Sequence, residues 1–142
     1  MVADLLIGPA LFLGLIIGAY EAIVVHRDVT VPTHRFTHMI HALVLSVLFV
    51  FASMNVDFVL SIIPALKNIP IIGSPLIVRV IIGLIATIKI HIISKVIPGT
   101  TTGAIKGMSE TWLHSLLIGA LIVAAPYLYP FIEGALPSWV KF

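Results

Sequence analysis

Hydrophobic positions along this chain gather into four long runs, residues 5–25, 36–53, 76–97 and 111–129, separated by stretches where proline, glycine and charge concentrate. A helix rises about 1.5 Å per residue, so the first and third runs span a hydrocarbon layer about 30 Å thick. The second run extends toward residue 63. The pattern predicts an all-α polytopic membrane protein with about four transmembrane helices forming a single domain over residues 1–142. There is no internal repeat and no linker that would mark a second domain.

The ends of the runs carry the expected punctuation. Pro32 and Pro75 suit a first helical turn, where a missing N–H removes no bond. Pro98-Gly99 stops the third helix just beyond Lys95, and Ser109 is placed to cap the fourth. Pro126 and Pro130 are expected to kink or end that fourth helix. Residues 63–75 contain Pro64, Pro70, Gly73 and Pro75 and read as a non-helical or re-entrant connection at the membrane interface. The tail, residues 131–142, offers Trp139 and Lys141 as an interfacial anchor. The first run follows Asp4 instead of a basic region and lacks a small-residue cleavage site, so it reads as a retained helix.

Composition agrees with the membrane assignment: 60% of residues are hydrophobic and 10% charged, with a mean hydropathy of +1.19. The chain has no cysteine, so a bound metal would need nitrogen, oxygen or thioether donors. A formal charge of +2 gives no basis for nucleic acid binding. Arg27, Arg35, Lys95 and Lys106 fall on one side of the membrane, against Lys67 and Lys141 on the other, with Arg79 near the start of the third helix. The small basic excess places the termini outside and the opposite ends of the helices inside an integral protein of the cell membrane.

Candidate chemistry gathers on that inner side. His26, His34, His38, His41, His91 and His114, with Glu21 and Glu110, all lie where the first helix ends, the second starts, the third ends or the fourth starts. His34, His38 and His41 have i, i+4, i+7 spacing, which turns all three toward one helix face. Two such imidazoles can reach one metal ion, while an interfacial face meeting water or phosphate is the simpler alternative. His26 is expected in the loop after the first helix. Glu21 continues a stripe begun by Gly14 and Gly18, which would carry its carboxylate into a helix interface as a metal ligand, proton acceptor or ion-pair partner of Arg35 or Lys89. Glu110 and His114 form a second i, i+4 pair, in which the acid either complements the helix N-terminus or orients the imidazole. The third helix carries Arg79, Lys89, His91 and Lys95, a cationic content that calls for acidic partners, lipid phosphate or a water-filled crevice.

Three functions fit these features: a metal-binding or non-catalytic subunit of a membrane oxidoreductase, a haem- or quinone-binding electron carrier with axial histidines on facing helices, or a metal or proton transporter. No serine or cysteine nucleophile motif points to a hydrolase. The segment Tyr20-Glu21-Ala22-Ile23-Val24-Val25-His26-Arg27-Asp28-Val29-Thr30-Val31-Pro32-Thr33-His34, within a small cysteine-free four-helix chain, resembles the short accessory membrane proteins that accompany ammonia monooxygenase in ammonia-oxidising archaea. That resemblance implies membership of a copper-dependent oxidoreductase complex, with other membrane subunits and lipids as partners and catalysis in other chains. The Asp-x-x-x-His plus later His copper motif of the catalytic subunits is absent: Asp28 precedes His34 by six positions, and Glu110-x-x-x-His114 has no following histidine. No copper ligand is therefore carried over, and copper or another histidine-bound metal would sit in this chain's own layer or in the partner subunits.

Overall fold

The computed structural model describes residues 2–28, 32–93 and 112–141, and the backbone alone for residues 25–28, 32–35, 37, 38 and 93. Five α-helices account for most of it: α1 (Ile7–Asp28), α2 (Pro32–Met54), α3 (Val56–Ile62), α4 (Pro75–Ile93) and α5 (Trp112–Ile132). No strand occurs among the described residues. Three helices are long and apolar enough to cross a membrane, and α2 with α3 makes a fourth span if the 47° bend between them is one crossing. The chain is an all-α polytopic membrane protein.

Two of the prolines behave as their positions predict: α2 begins at Pro32 and α4 at Pro75. Pro126 and Pro130 do not end α5, which continues to Ile132. Each removes one backbone donor, a loss that membrane helices tolerate when neighbouring groups serve the freed carbonyl. The helix α1 runs on to Asp28, so His26 stands in its last turn and not in a loop. Residues 63–75 form a 3-10 turn, Pro64–Asn68, followed by a tight bend. Ile71 takes a positive φ of 79° there, and the Gly73 amide donates to the Ile69 carbonyl at 2.8 Å. A side chain at Gly73 would run into the Lys67 backbone, so the bend needs glycine at this position. The tail folds back against α1 through a 3-10 turn, Ser138–Val140, burying Val140 and leaving Trp139 exposed. Pro98-Gly99, Ser109, Lys95 and Lys106 lie outside the described residues.

Each long helix turns a narrow stripe inward. In α1 it is Ala10, Leu13, Gly14, Ile17, Gly18 and Glu21; in α5 it is Ser115, Ile118, Gly119, Ile122 and Ala125. Small residues set the spacing. A Cβ at Gly14 would lie 2.8 Å from the Val47 Cα, and one at Gly18 would be 3.1 Å from the Leu43 Cα, so α1 and α2 touch backbone to backbone. Gly83 of α4 and Gly119 of α5 approach each other in the same way, each within 3 Å of the other's carbonyl once a Cβ is built. The result is two close antiparallel pairs, α1 with α2 and α4 with α5, joined by contacts of α2 with both helices of the second pair.

Candidate functional site

Antiparallel packing decides which chain segments meet. Leu6 contacts Asn55, Gly14 faces Val47 and Gly18 faces Leu43, so the start of α1 lies beside the end of α2. Arg79, near the start of α4, reaches Ser53 at the end of α2, Asp57 in α3 and Tyr127 toward the end of α5. His91 in the last described turns of α4 stacks on Trp112, the first residue of α5, with ring centroids 3.6 Å apart. The end of α1, the start of α2, the end of α4 and the start of α5 therefore share one end of the bundle. These segments carry seven of the eight candidate residues, and Glu110 lies outside the described residues.

The side chains are less convergent than the segments. Glu21 is only 1% exposed and accepts a hydrogen bond from the Ser46 hydroxyl across the α1–α2 interface. The glycine stripe carries the carboxylate inward as expected, and Ser46 lies on the buried face of α2 opposite it. His91 is buried at 3% exposure beside Thr87, which donates to the Gly83 carbonyl one turn below. His114 is half-buried and His41 exposed. Lys89 is exposed on the outer face of α4, whereas Glu21 is buried. Among the described residues, no group of three or more histidine, aspartate or glutamate side chains is arranged to hold a metal ion. The side chains of His26, His34 and His38 and the whole of Glu110 lie outside the described residues, as do the side chains of Arg27 and Arg35. The four candidates whose side chains are described, Glu21, His41, His91 and His114, do not come together as a set of three that could hold a metal ion.

The opposite end holds a polar cluster that the pattern of histidines does not reveal. Arg79 is 5% exposed inside an apolar helix. Its Nη2 donates to the Asp57 carboxylate at 2.6 Å, its Nε to the Ser53 carbonyl at 3.2 Å and its Nη1 to the Tyr127 hydroxyl at 3.1 Å. The guanidinium also lies 5.1 Å from the centre of the Tyr127 ring. The acidic partner that Arg79 requires is supplied by this chain. Beside it, Asn55 sits at the α2–α3 break, donating to the Phe51 carbonyl at 2.9 Å and accepting from the Leu6 amide at 2.7 Å. At the break the Ser53 carbonyl accepts from Arg79, while the Phe51 carbonyl keeps its helical bond from the Asn55 amide at 3.2 Å and takes the Asn55 side chain as a second donor. Two observations in the sequence point to this cluster: Asn55 and Asp57 interrupt an apolar stretch, and Arg79, Asp57 and Tyr127 all fall at the same end of their segments.

Two cavities border α3. A cleft of about 460 Å³ is lined by Asp4, Asp57, Ser61 and Lys67 among others. An apolar groove of about 380 Å³ runs along Phe51, Val56, Val59, Leu66 and Ile82, with Asn55 at the helix break. Both lie at the end away from the histidines.

No family model, curated protein or solved structure matches the chain. The fold and the placement of polar groups define a small polytopic membrane protein.

Proposed function

We propose that this chain is a non-catalytic, accessory subunit of a multi-subunit metal-dependent oxidoreductase in the cell membrane, of the kind represented by archaeal ammonia monooxygenase. The observation that carries the proposal is how the described polar groups inside the bundle are used. Arg79 with Asp57, Ser53 and Tyr127, Asn55 with Leu6 and Phe51, and Ser46 with Glu21 each tie one element of the bundle to another. They form joints of a scaffold. Lys89 stands apart: it is exposed in an apolar span and has neither a hydrogen bond nor an ion pair among the described residues. A lysine facing hydrocarbon costs about 2.5–3.5 kcal/mol at the bilayer centre and less toward its edge, a penalty that another subunit or a lipid phosphate would relieve. The resemblance of residues 20–34 to accessory proteins of the archaeal enzyme directs the choice of complex. In this reading the termini face outward and the histidine-bearing end faces the cytoplasm, where copper or another histidine-bound metal is held by this end or by the partner chains.

Purification of the chain from native membranes, followed by identification of co-purifying proteins and metal analysis, tests the proposal. Larger oxidoreductase subunits in constant ratio to this chain are expected. A stable isolated bundle with its own turnover would overturn the reading.

The second reading is a metal or proton transporter, and the observations favouring it are the deeply buried Glu21 carboxylate and the broken α2–α3 span. Reconstitution into proteoliposomes separates the two readings, because only a transporter produces vectorial flux that Glu21→Gln abolishes.

A further inference from the structure

The outer face of α4 carries one charge on an otherwise apolar surface. Lys89 closes an i, i+4 row begun by Ile77, Ile81 and Ile85, and the neighbouring row passes through Ile88 and Ile92; all six are exposed. The isoleucines are β-branched, and each is held almost to a single rotamer in a helix. Packing another helix against them therefore costs little side-chain entropy. Adjacent i, i+4 rows form the ridges that fit the grooves of a neighbouring helix. The one cation on this stiff apolar face sets the charge that its occupant has to bring.

We propose that the exposed face of α4 docks a transmembrane helix of a different subunit, one that presents an aspartate or glutamate at the depth of Lys89. A second copy of this chain does not satisfy the face. Two copies inserted the same way and paired through α4 about a twofold axis normal to the membrane bring Lys89 level with Lys89, like charge against like. Among the carboxylates whose side chains are described, none stands at the depth of Lys89: Glu21 is buried between α1 and α2, and Asp4, Asp57 and Glu133 lie toward the opposite end. The inference rests on the accessory-subunit reading and names the surface and the partner chemistry through which it would operate.

The test places a photoreactive benzoylphenylalanine at Ile85 in the full chain in its native membrane, with sequencing of the peptide it attaches. The expected product is one discrete adduct to another protein, joined within an apolar segment that has Asp or Glu within one turn of the attachment point. Lys89→Glu should lower its yield at least tenfold, while Lys89→Arg keeps it. Because Lys89→Glu alters the chain itself, a partner Asp or Glu→Lys exchange provides the second arm and should restore the adduct to Lys89→Glu. Adducts to lipid alone, to a second copy, or to a segment without a carboxylate would overturn the inference, as would a yield indifferent to both charge changes. If the chain still co-purifies with larger subunits while Ile85 labels only lipid, the docking surface is wrong and the accessory role stands. Loss of co-purification as well removes both.

Discussion

Arg79 is the residue whose environment departs furthest from what an apolar helix normally provides. Its guanidinium is buried, whereas the Asp57 side chain that neutralises it is 54% exposed. The asymmetry predicts which half of the pair matters more. Asp57→Ala leaves a buried cation with only a carbonyl and a hydroxyl, while Arg79→Met leaves a carboxylate that water can reach and one carbonyl short of a donor. Asp57→Ala should therefore destabilise the bundle by about 1–3 kcal/mol and Arg79→Met by less. Denaturation in mixed detergent measures both, and the reverse order would show that the pair is not governed by desolvation of the arginine. At the other end, Ser46→Ala removes the hydroxyl that donates to Glu21. Side-chain hydrogen bonds between membrane helices average about 0.6 kcal/mol, so a change of about that size is expected by the same assay.

Among the elements, the α1–α2 pair is set by glycine. A single methyl at Gly14 meets the Val47 backbone, which cannot swing aside as a flexible side chain would. Gly14→Ala should cost about 1–3 kcal/mol, against a negligible change for Ala19→Ile on the exposed face of the same helix. Thermal melting of both variants distinguishes close helix approach from general hydrophobicity. The break between α2 and α3 is an element-scale feature with its own test. Asn55 holds Leu6 through both the amide and the carbonyl, so Asn55→Ala should release residues 2–6. Hydrogen exchange at the Leu6 amide should accelerate by about tenfold, the equivalent of one lost hydrogen bond of about 1.4 kcal/mol.

For the whole molecule, topology is the decisive property. The packing brings the end of α1 and the start of α2 to the same end as the end of α4 and the start of α5. Single cysteines at Thr30 and Thr102 should therefore label from one side of the membrane, and one at Ser138 from the other. Labelling of Thr30 and Thr102 from opposite sides would dissolve the grouping of the six histidines. If that end holds a metal, His38→Ala should lower bound metal in the purified complex more than His26→Ala, since His38 lies at the centre of the i, i+4, i+7 set. Equal metal content in both variants would leave these histidines with a solvating role.

Much of the architecture is legible along the chain because hydrophobic length is a local property: a run of about twenty apolar residues is a span whatever surrounds it. Pro32 and Pro75 mark helix starts for the same local reason, a missing donor in the turn that needs none. The inward course of Glu21 also follows from its own helix, since Gly14 and Gly18 lie on its face and only they permit another helix to approach. What needed the tertiary structure depends on which segments become neighbours. The sequence puts Asp57, Arg79 and Tyr127 at the same end of their segments, but that they and Ser53 converge is a tertiary fact, because the partners of Arg79 come from three other helices, up to 48 positions away. The continuation of α5 past Pro126 and Pro130 is likewise not legible in the residues themselves, since a proline costs one backbone hydrogen bond and crowds the preceding turn, and a membrane helix tolerates both where its surroundings allow. The histidines show both contributions: their shared end follows from hydrophobic runs laid antiparallel, whereas the stacking of His91 on Trp112 and the exposure of His41 arise from how the helices rotate against one another. Rotation is set by small residues and buried hydrogen bonds between helices, and those contacts exist only once the bundle has formed.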